Sequence, residues 1–219
     1  MTINVAPETM ARKKSLTEKP LIIVGLAGKA YSGKSTAGEF IRKRHGGSVV
    51  PFMKRLKEMC GLFMSEDQIS GSLKEVPDFC LLGGKTPREF MQKLATDFAR
   101  KMIWEDFWLL QWQKDVRVKV DAGYTLIIAD DIRLPNEIDL IHKMGGFVVH
   151  LDRSGSGSKV GATHSSENHD LICDHYVSTN SIFDMEVAMS HILDARHVPL
   201  NYGKGNPVFA SLEEYVDYI

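Results

Sequence analysis

An apolar run, Leu21-Ile22-Ile23-Val24, leads into a glycine-rich stretch from Gly25 to Gly33, and a segment of helical spacing follows from Lys34 to Arg44. That order constrains the fold more than anything else in the chain. A short strand that is apolar throughout is covered on both faces, which is the habit of a parallel sheet flanked by helices. The turn reads Gly28-Lys29-Ala30-Tyr31-Ser32-Gly33-Lys34-Ser35 and satisfies G-x-x-x-x-G-K-[ST] in full. Glycines let successive backbone amides curl around an anion, and the helix that follows adds the positive end of its dipole. In such a loop Lys34 reaches the outer phosphates of a nucleotide and the Ser35 hydroxyl ligates Mg2+. Gly28, Ala30, Tyr31, Ser32, Gly33, Lys34, Ser35 and Thr36 are therefore the candidate ATP-contacting residues.

The rest of the chain supplies the partners of that unit. Ser48-Val49-Val50 reads as a second strand, Thr125 to Ala129 as a third that ends at Asp130-Asp131, Phe147 to Leu151 as a fourth and His175 to Ser178 as a fifth. Helical signals run from Pro135 to Met144 and from Ile182 to Ala195. Strands alternating with helices imply an α/β sandwich with a mainly parallel five-stranded sheet. Residues 52–120 read as largely helical, and Phe90, Leu94, Phe98 and Met102, at four-residue steps, mark one buried helix face. Residues 1–19 read as a polar, flexible tail and 20–219 as a single domain.

Charge narrows the function. With 27 basic and 28 acidic residues the formal net charge is −1, so the chain lacks the basic excess of a nucleic-acid-coating protein. No apolar run is long enough to span a membrane, and the start of the chain lacks an apolar signal core. A cytoplasmic enzyme is the expectation. Cys60, Cys80 and Cys173 form no CxxC pair and read as buried free thiols.

Asp130 and Asp131 reach the carboxyl edge of the sheet, where α/β proteins bind ligands. There an acid can hold the Mg2+ shell or accept a proton from an attacking oxygen. Asp131 is expected to be the more important of the two in turnover, with Asp130 its rival by a one-residue register difference.

Four segments, Gly25 to Ser35, Thr86-Pro87-Arg88-Glu89-Phe90-Met91-Gln92, Asp131-Ile132-Arg133-Leu134-Pro135-Asn136-Glu137 and His164-Ser165-Ser166-Glu167, resemble in order and approximate spacing the deoxynucleoside monophosphate kinases encoded by bacteriophages. More distantly the chain is similar to dephospho-coenzyme A kinases. The resemblance implies an adenylate-kinase-like P-loop three-layer sandwich with a helical acceptor-binding region over about 52–120 and a short lid over about 153–170. It also implies transfer of the ATP γ-phosphoryl group to a deoxynucleoside 5′-monophosphate, with Mg2+, and leaves a homodimer open.

Such an acceptor carries about two negative charges, and arginine, with its planar fork, is the residue suited to gripping them. Arg88 opens a helix after Pro87, Gln92 lies one turn on along the same face, and Arg100 continues the line. Arg133 stands where acceptor and γ-phosphate would meet, with Glu137 placed to orient it from one turn along. Lys57 matches a family lysine loosely, Met53 standing where an alanine is usual. His164 and Glu167 are implied as polar contacts beside the acceptor. Trp104, Phe107 and Trp108 are either a base-stacking platform or core.

Arg153 directly follows the fourth strand and precedes a Gly/Ser-rich loop, where it would stabilise charge on the transferred group as a lid closes. Asn180 lies near the adenine end or caps the last helix. Two alternatives stand beside this reading: a kinase for another phosphorylated acceptor such as dephospho-coenzyme A, and a P-loop ATPase of an assembly or packaging machine.

Overall fold

A computed structural model describes residues 20–153 and 171–198. Its centre is a five-stranded sheet in the order β2-β3-β1-β4-β5, formed by β1 (Ile22–Ala27), β2 (Ser48–Val49), β3 (Leu126–Ile132), β4 (Phe147–Asp152) and β5 (His175–Ser178). Every neighbouring pair runs parallel. Because strand side chains alternate between faces, the two faces feed different cores. Ile23, Ala27, Ile127, Ala129, Ile132 and Val148 pack under α5 (Phe107–Asp121) and α6 (Pro135–Lys143). Val24, Leu26, Ile128, Val149, Leu151 and Val177 pack under α1 (Lys34–His45) and α7 (Ile182–Ala195). This is the expected three-layer α/β arrangement.

The segment between β2 and α5 builds a third cluster from Leu56, Cys60, Met64, Ile69, Met91, Ala99 and Trp108. It contains α2 (Lys54–Cys60), α3 (Glu66–Ile69), a 3-10 turn (Ser72–Glu75) and α4 (Pro87–Gln92). Its start is legible in Thr86-Pro87-Arg88-Glu89. The Thr86 hydroxyl accepts from Glu89 N–H at 3.1 Å, the Glu89 carboxylate accepts from Thr86 N–H at 2.8 Å, and Pro87 opens the first turn.

Three expectations need correction. The third strand does not end at the acidic pair but runs to Ile132: the register shifts at the two aspartates, and the ladder resumes where Ala27 pairs with Ile132. The supposed buried face Phe90, Leu94, Phe98, Met102 breaks up, with Phe98 and Met102 exposed and Ala99 buried instead. Residues Lys93–Ile103 form a π-helix, wider than an α-helix, and Trp104 N–H reaches back five residues to the Ala99 carbonyl at 2.9 Å. Four-residue steps drift around such a helix. Lastly, Cys60 and Cys173 are buried free thiols, but Cys80 is exposed. No helix among the described residues is long and apolar enough to cross a membrane.

Candidate active site

The loop after β1 is held by backbone conformations that favour glycine. Gly28 and Gly33 have φ of 136° and 96°, and Tyr31 joins them in the left-handed region at 66°. At Gly28 a Cβ would stand 2.2 Å from the Leu151 carbonyl oxygen and 2.7 Å from Ser32 Oγ, so no other residue fits. The Lys34 ammonium folds over the loop and donates to the carbonyls of Gly28 at 2.7 Å and Lys29 at 2.6 Å. Ser32 is buried, and its Oγ has no hydrogen-bond partner among the described residues. At the N-terminus of α1, Gly33 supplies no side-chain cap and the first turn holds no acid, so neither competes with an anion for the first-turn amides.

Beside this loop, β3 delivers its two acids to opposite faces of the sheet. Asp130 faces α1. Gly38 approaches it so closely that a Cβ at Gly38 would be 3.4 Å from Asp130 Cβ, and Ser35 lies three residues before Gly38 on the same helix face. Asp131 faces the helical segment. Its Oδ1 accepts from Phe52 N–H at 2.7 Å and its Oδ2 from Met53 N–H at 3.0 Å, which ties the turn after β2 to the end of β3. Burial pushes the Asp131 carboxyl above the usual range; the Met53 amide opposes this and the neighbouring Asp130 charge adds to it.

On the Asp131 side lies a pocket that gathers Lys57, Arg88, Gln92, Arg100, Asp131, Arg133 and Glu137, all seven named from the sequence. Met53, Leu56, Met91 and Leu134 give it an apolar wall. Arg88 Nε is ion-paired with Glu75. Arg100, 10% exposed, is no solvated surface charge, since its Nη2 donates to Glu137 Oε1 at 2.8 Å. The other Glu137 oxygen accepts the backbone N–H of Arg133 at 2.8 Å and of Leu134 at 3.1 Å. Glu137 is thus a bracket that fixes the β3–α6 junction and the Arg100 guanidinium together. Burial pushes its carboxyl up to about 7, against the pull of the Arg133 amide and Arg100.

Lys74, from the 3-10 turn, also lines the pocket and was not singled out from the sequence. Its signal is weak, one lysine among the many charges of an exposed connection. Of the aromatic candidates, Trp108 is core, buried with its Nε1 donating to the Ala95 carbonyl at 3.0 Å. Trp104 is exposed, and neither it nor Phe107 lines the pocket. Arg153 stands exposed at the end of β4, the same sheet edge as the phosphate loop. The cap of α7 is Ser181, whose Oγ accepts from Asp184 N–H at 3.0 Å, so Asn180 is one residue outside the helix end. His164, Glu167 and the remainder of the expected lid lie outside the described residues.

A sequence model described as deoxynucleotide monophosphate kinase matches residues 83–178, the stretch that carries Arg88, Gln92, Arg100, Asp131, Arg133 and Glu137. A protein of Acanthamoeba polyphaga mimivirus assigned to the same activity is 32% identical over 162 residues, covering 67% of this chain and 81% of the viral one. The chain belongs to the deoxynucleotide monophosphate kinase family. It is accordingly a phosphotransferase that works with a nucleoside triphosphate and a nucleoside monophosphate. Among solved structures, TT1252 from Thermus thermophilus aligns over 81% of this chain and 98% of its own, at 18% identity and a TM-score of 0.48. The APS kinase CysC of Mycobacterium tuberculosis aligns over 80% and 99%, at 14% identity and a TM-score of 0.41. These likenesses are too slight to bear on the activity of this kinase.

Proposed function

We propose that this kinase moves the γ-phosphoryl group of ATP onto a deoxynucleoside 5′-monophosphate bound in the pocket beside β3. One observation carries the reading. Five cationic side chains, Lys57, Lys74, Arg88, Arg100 and Arg133, share a pocket with two acids and an apolar wall. A phosphate monoester dianion attached to a flat, weakly polar base matches both halves of that lining.

The donor end is supported by the loop. Ser32 Oγ, buried and without a partner among the described residues, and the uncapped first turn of α1 fit a ligand rich in acceptor oxygens. Lys34, now donating to carbonyls of its own loop, would swing outward to meet the β- and γ-phosphates. Ser35 and Asp130, which share one side of α1, are the residues that would hold Mg2+; when bound, it neutralises charge on the phosphate chain. Asp131, with both oxygens already accepting backbone N–H groups, suits a positioning role better.

Arg133 follows the end of β3 and lines the acceptor pocket, from where it would neutralise the oxygens of acceptor and donor as they converge. Arg88 and Arg100 would fix the acceptor so that its phosphate oxygen lies in line with the bond to be broken, converting an encounter between like charges into an oriented one. Gln92 would contribute its amide to sugar or base. Arg153, Asn180, His164 and Glu167 keep the roles that the family resemblance gives them. A coupled transfer assay over deoxy- and ribonucleoside monophosphates and dephospho-coenzyme A, with hydrolysis in the absence of acceptor as baseline, tests the reading. Transfer to deoxynucleoside monophosphates well above baseline is expected; hydrolysis undiminished and unlinked to any acceptor would refute it.

A further inference from the structure

The 3-10 turn Ser72–Glu75 contributes no residue to a hydrophobic core, and Ser72, Leu73 and Glu75 are exposed. Lys74 alone turns inward, half-buried, into the pocket that Arg88, Lys57, Arg100 and Arg133 also line. Among the described residues its ammonium forms no ion pair and no hydrogen bond. An ammonium that leaves water for a cluster of like charges, with no acceptor of its own, is placed at a cost that folding alone does not explain. Glu75, the next residue, grips Arg88 and so fixes the turn against α4.

We propose that Lys74 is a ligand of the acceptor phosphate, presented by the Ser72–Glu75 turn alongside Arg88. The proposal rests on the reading of this pocket as the acceptor site. An arriving dianion supplies the missing acceptor and offsets the repulsion among the cations at once. It also gives Lys74 a signature that a merely structural lysine lacks. Burial, then the charges of Arg88, Lys57 and Arg133, push the Lys74 ammonium down to about 8, with Glu75 opposing them. Asp131, Arg100 and Glu137 complete the charged groups lining the pocket. A bound phosphate restores the ammonium toward its ordinary value of 10.5. The acceptor therefore binds best below pH 8 and loses affinity as the pH rises through that value, by about fivefold between pH 8 and pH 9. At pH 8 binding takes up about half a proton.

The test is calorimetric titration of the full-length enzyme with dAMP, dCMP, dGMP and dTMP in turn, at pH 8, in two buffers of different ionisation enthalpy. Wild type is expected to take up that proton, and Lys74→Arg to bind without uptake and without weakening by pH 9. Lys74→Met should weaken acceptor binding by roughly tenfold to a hundredfold while ATP affinity holds, as loss of a charge-assisted contact does. Uptake that persists in Lys74→Arg would assign the proton to Glu137 and overturn the proposal, as would acceptor affinity unchanged in Lys74→Met. If no monophosphate binds to wild type, the acceptor-site reading itself falls, an outcome separate from a failure at Lys74.

Discussion

Replacing Asp131 by Asn changes one atom and asks what the carboxylate is for. Its two oxygens accept from Phe52 N–H at 2.7 Å and Met53 N–H at 3.0 Å. An Asn offers one oxygen, and its NH2 faces the second donor, which is left unsatisfied in a partly buried site. Loss of hydrogen bonds to an ionised acceptor and the stranded N–H together cost about 2–4 kcal/mol, less whatever is recovered by not burying a charge. A net loss of about 2 kcal/mol corresponds to a fall in Tm of roughly 4–8 °C for a chain this long. Met53, Leu56 and Lys57 lie on or just beyond the tethered turn and line the acceptor pocket, so acceptor KM should rise with the loss of stability. Asp130→Asn should behave in the opposite way, with Tm held and kcat reduced tenfold or more at saturating acceptor. Thermal unfolding by circular dichroism, paired with steady-state kinetics on both variants, separates them. Asp131→Asn with the Tm and acceptor KM of wild type but a large loss of kcat would refute this argument and restore Asp131 as the group that meets the reacting atoms.

Three further outcomes are expected. Lys34→Ala should stay folded, yet lose transfer by at least a hundredfold, since its ammonium, which donates to the Gly28 and Lys29 carbonyls, would carry phosphate charge in the reaction. Arg88→Lys should raise acceptor KM and spare ATP affinity, because a point charge replaces the fork but not its geometry, and nucleotide titrations against each substrate would show it. Glu137 has its carboxyl raised from 4.5 to about 7, so the stability it contributes is complete below 4.5 and lost as the pH rises through 7. That loss is on the order of 3 kcal/mol. Urea unfolding of Glu137→Gln as a function of pH should show this slope flattened.

The sheet was legible because most of its strands are short apolar runs, although the glycine and the acids that were read as ending β1 and β3 lie inside those strands. α1 falls within a residue of where the helical spacing puts it, and β1 starts within a residue of Leu21 but runs on to Ala27, three residues into the stretch read as a turn. The helical segment was legible in existence and not in form. Phe90, Leu94, Phe98 and Met102 suit an α-helix, but the five-residue hydrogen bonding of Lys93–Ile103 turns Ala99 inward and leaves two of the four apolar residues exposed. A linear pattern cannot announce that change, because what decides it is how the segment packs. Trp108, anchored by its indole N–H on the Ala95 carbonyl, is one such contact and is invisible until the chain has folded.

The pocket shows the same division more sharply. Arg88 and Gln92 could be paired in advance because four residues of α-helix bring them to one face, and Arg133 because it follows an acid at a strand end. Nothing local connects Lys74 to either. It joins them because the folded chain sets a turn thirteen residues upstream against α4, where the Glu75–Arg88 ion pair ties the two. Its charge state follows from that meeting too, since burial in the pocket and then the charges of Arg88, Lys57 and Arg133 act on it. Likewise the choice between Asp130 and Asp131 depends on the face each takes in a strand that runs on to Ile132, which the adjacency of two aspartates leaves open. Residues whose partners are near in sequence could be assigned a role by chemistry and spacing; those whose partners are distant acquire one only from the packing of the helical segment onto the edge of the sheet.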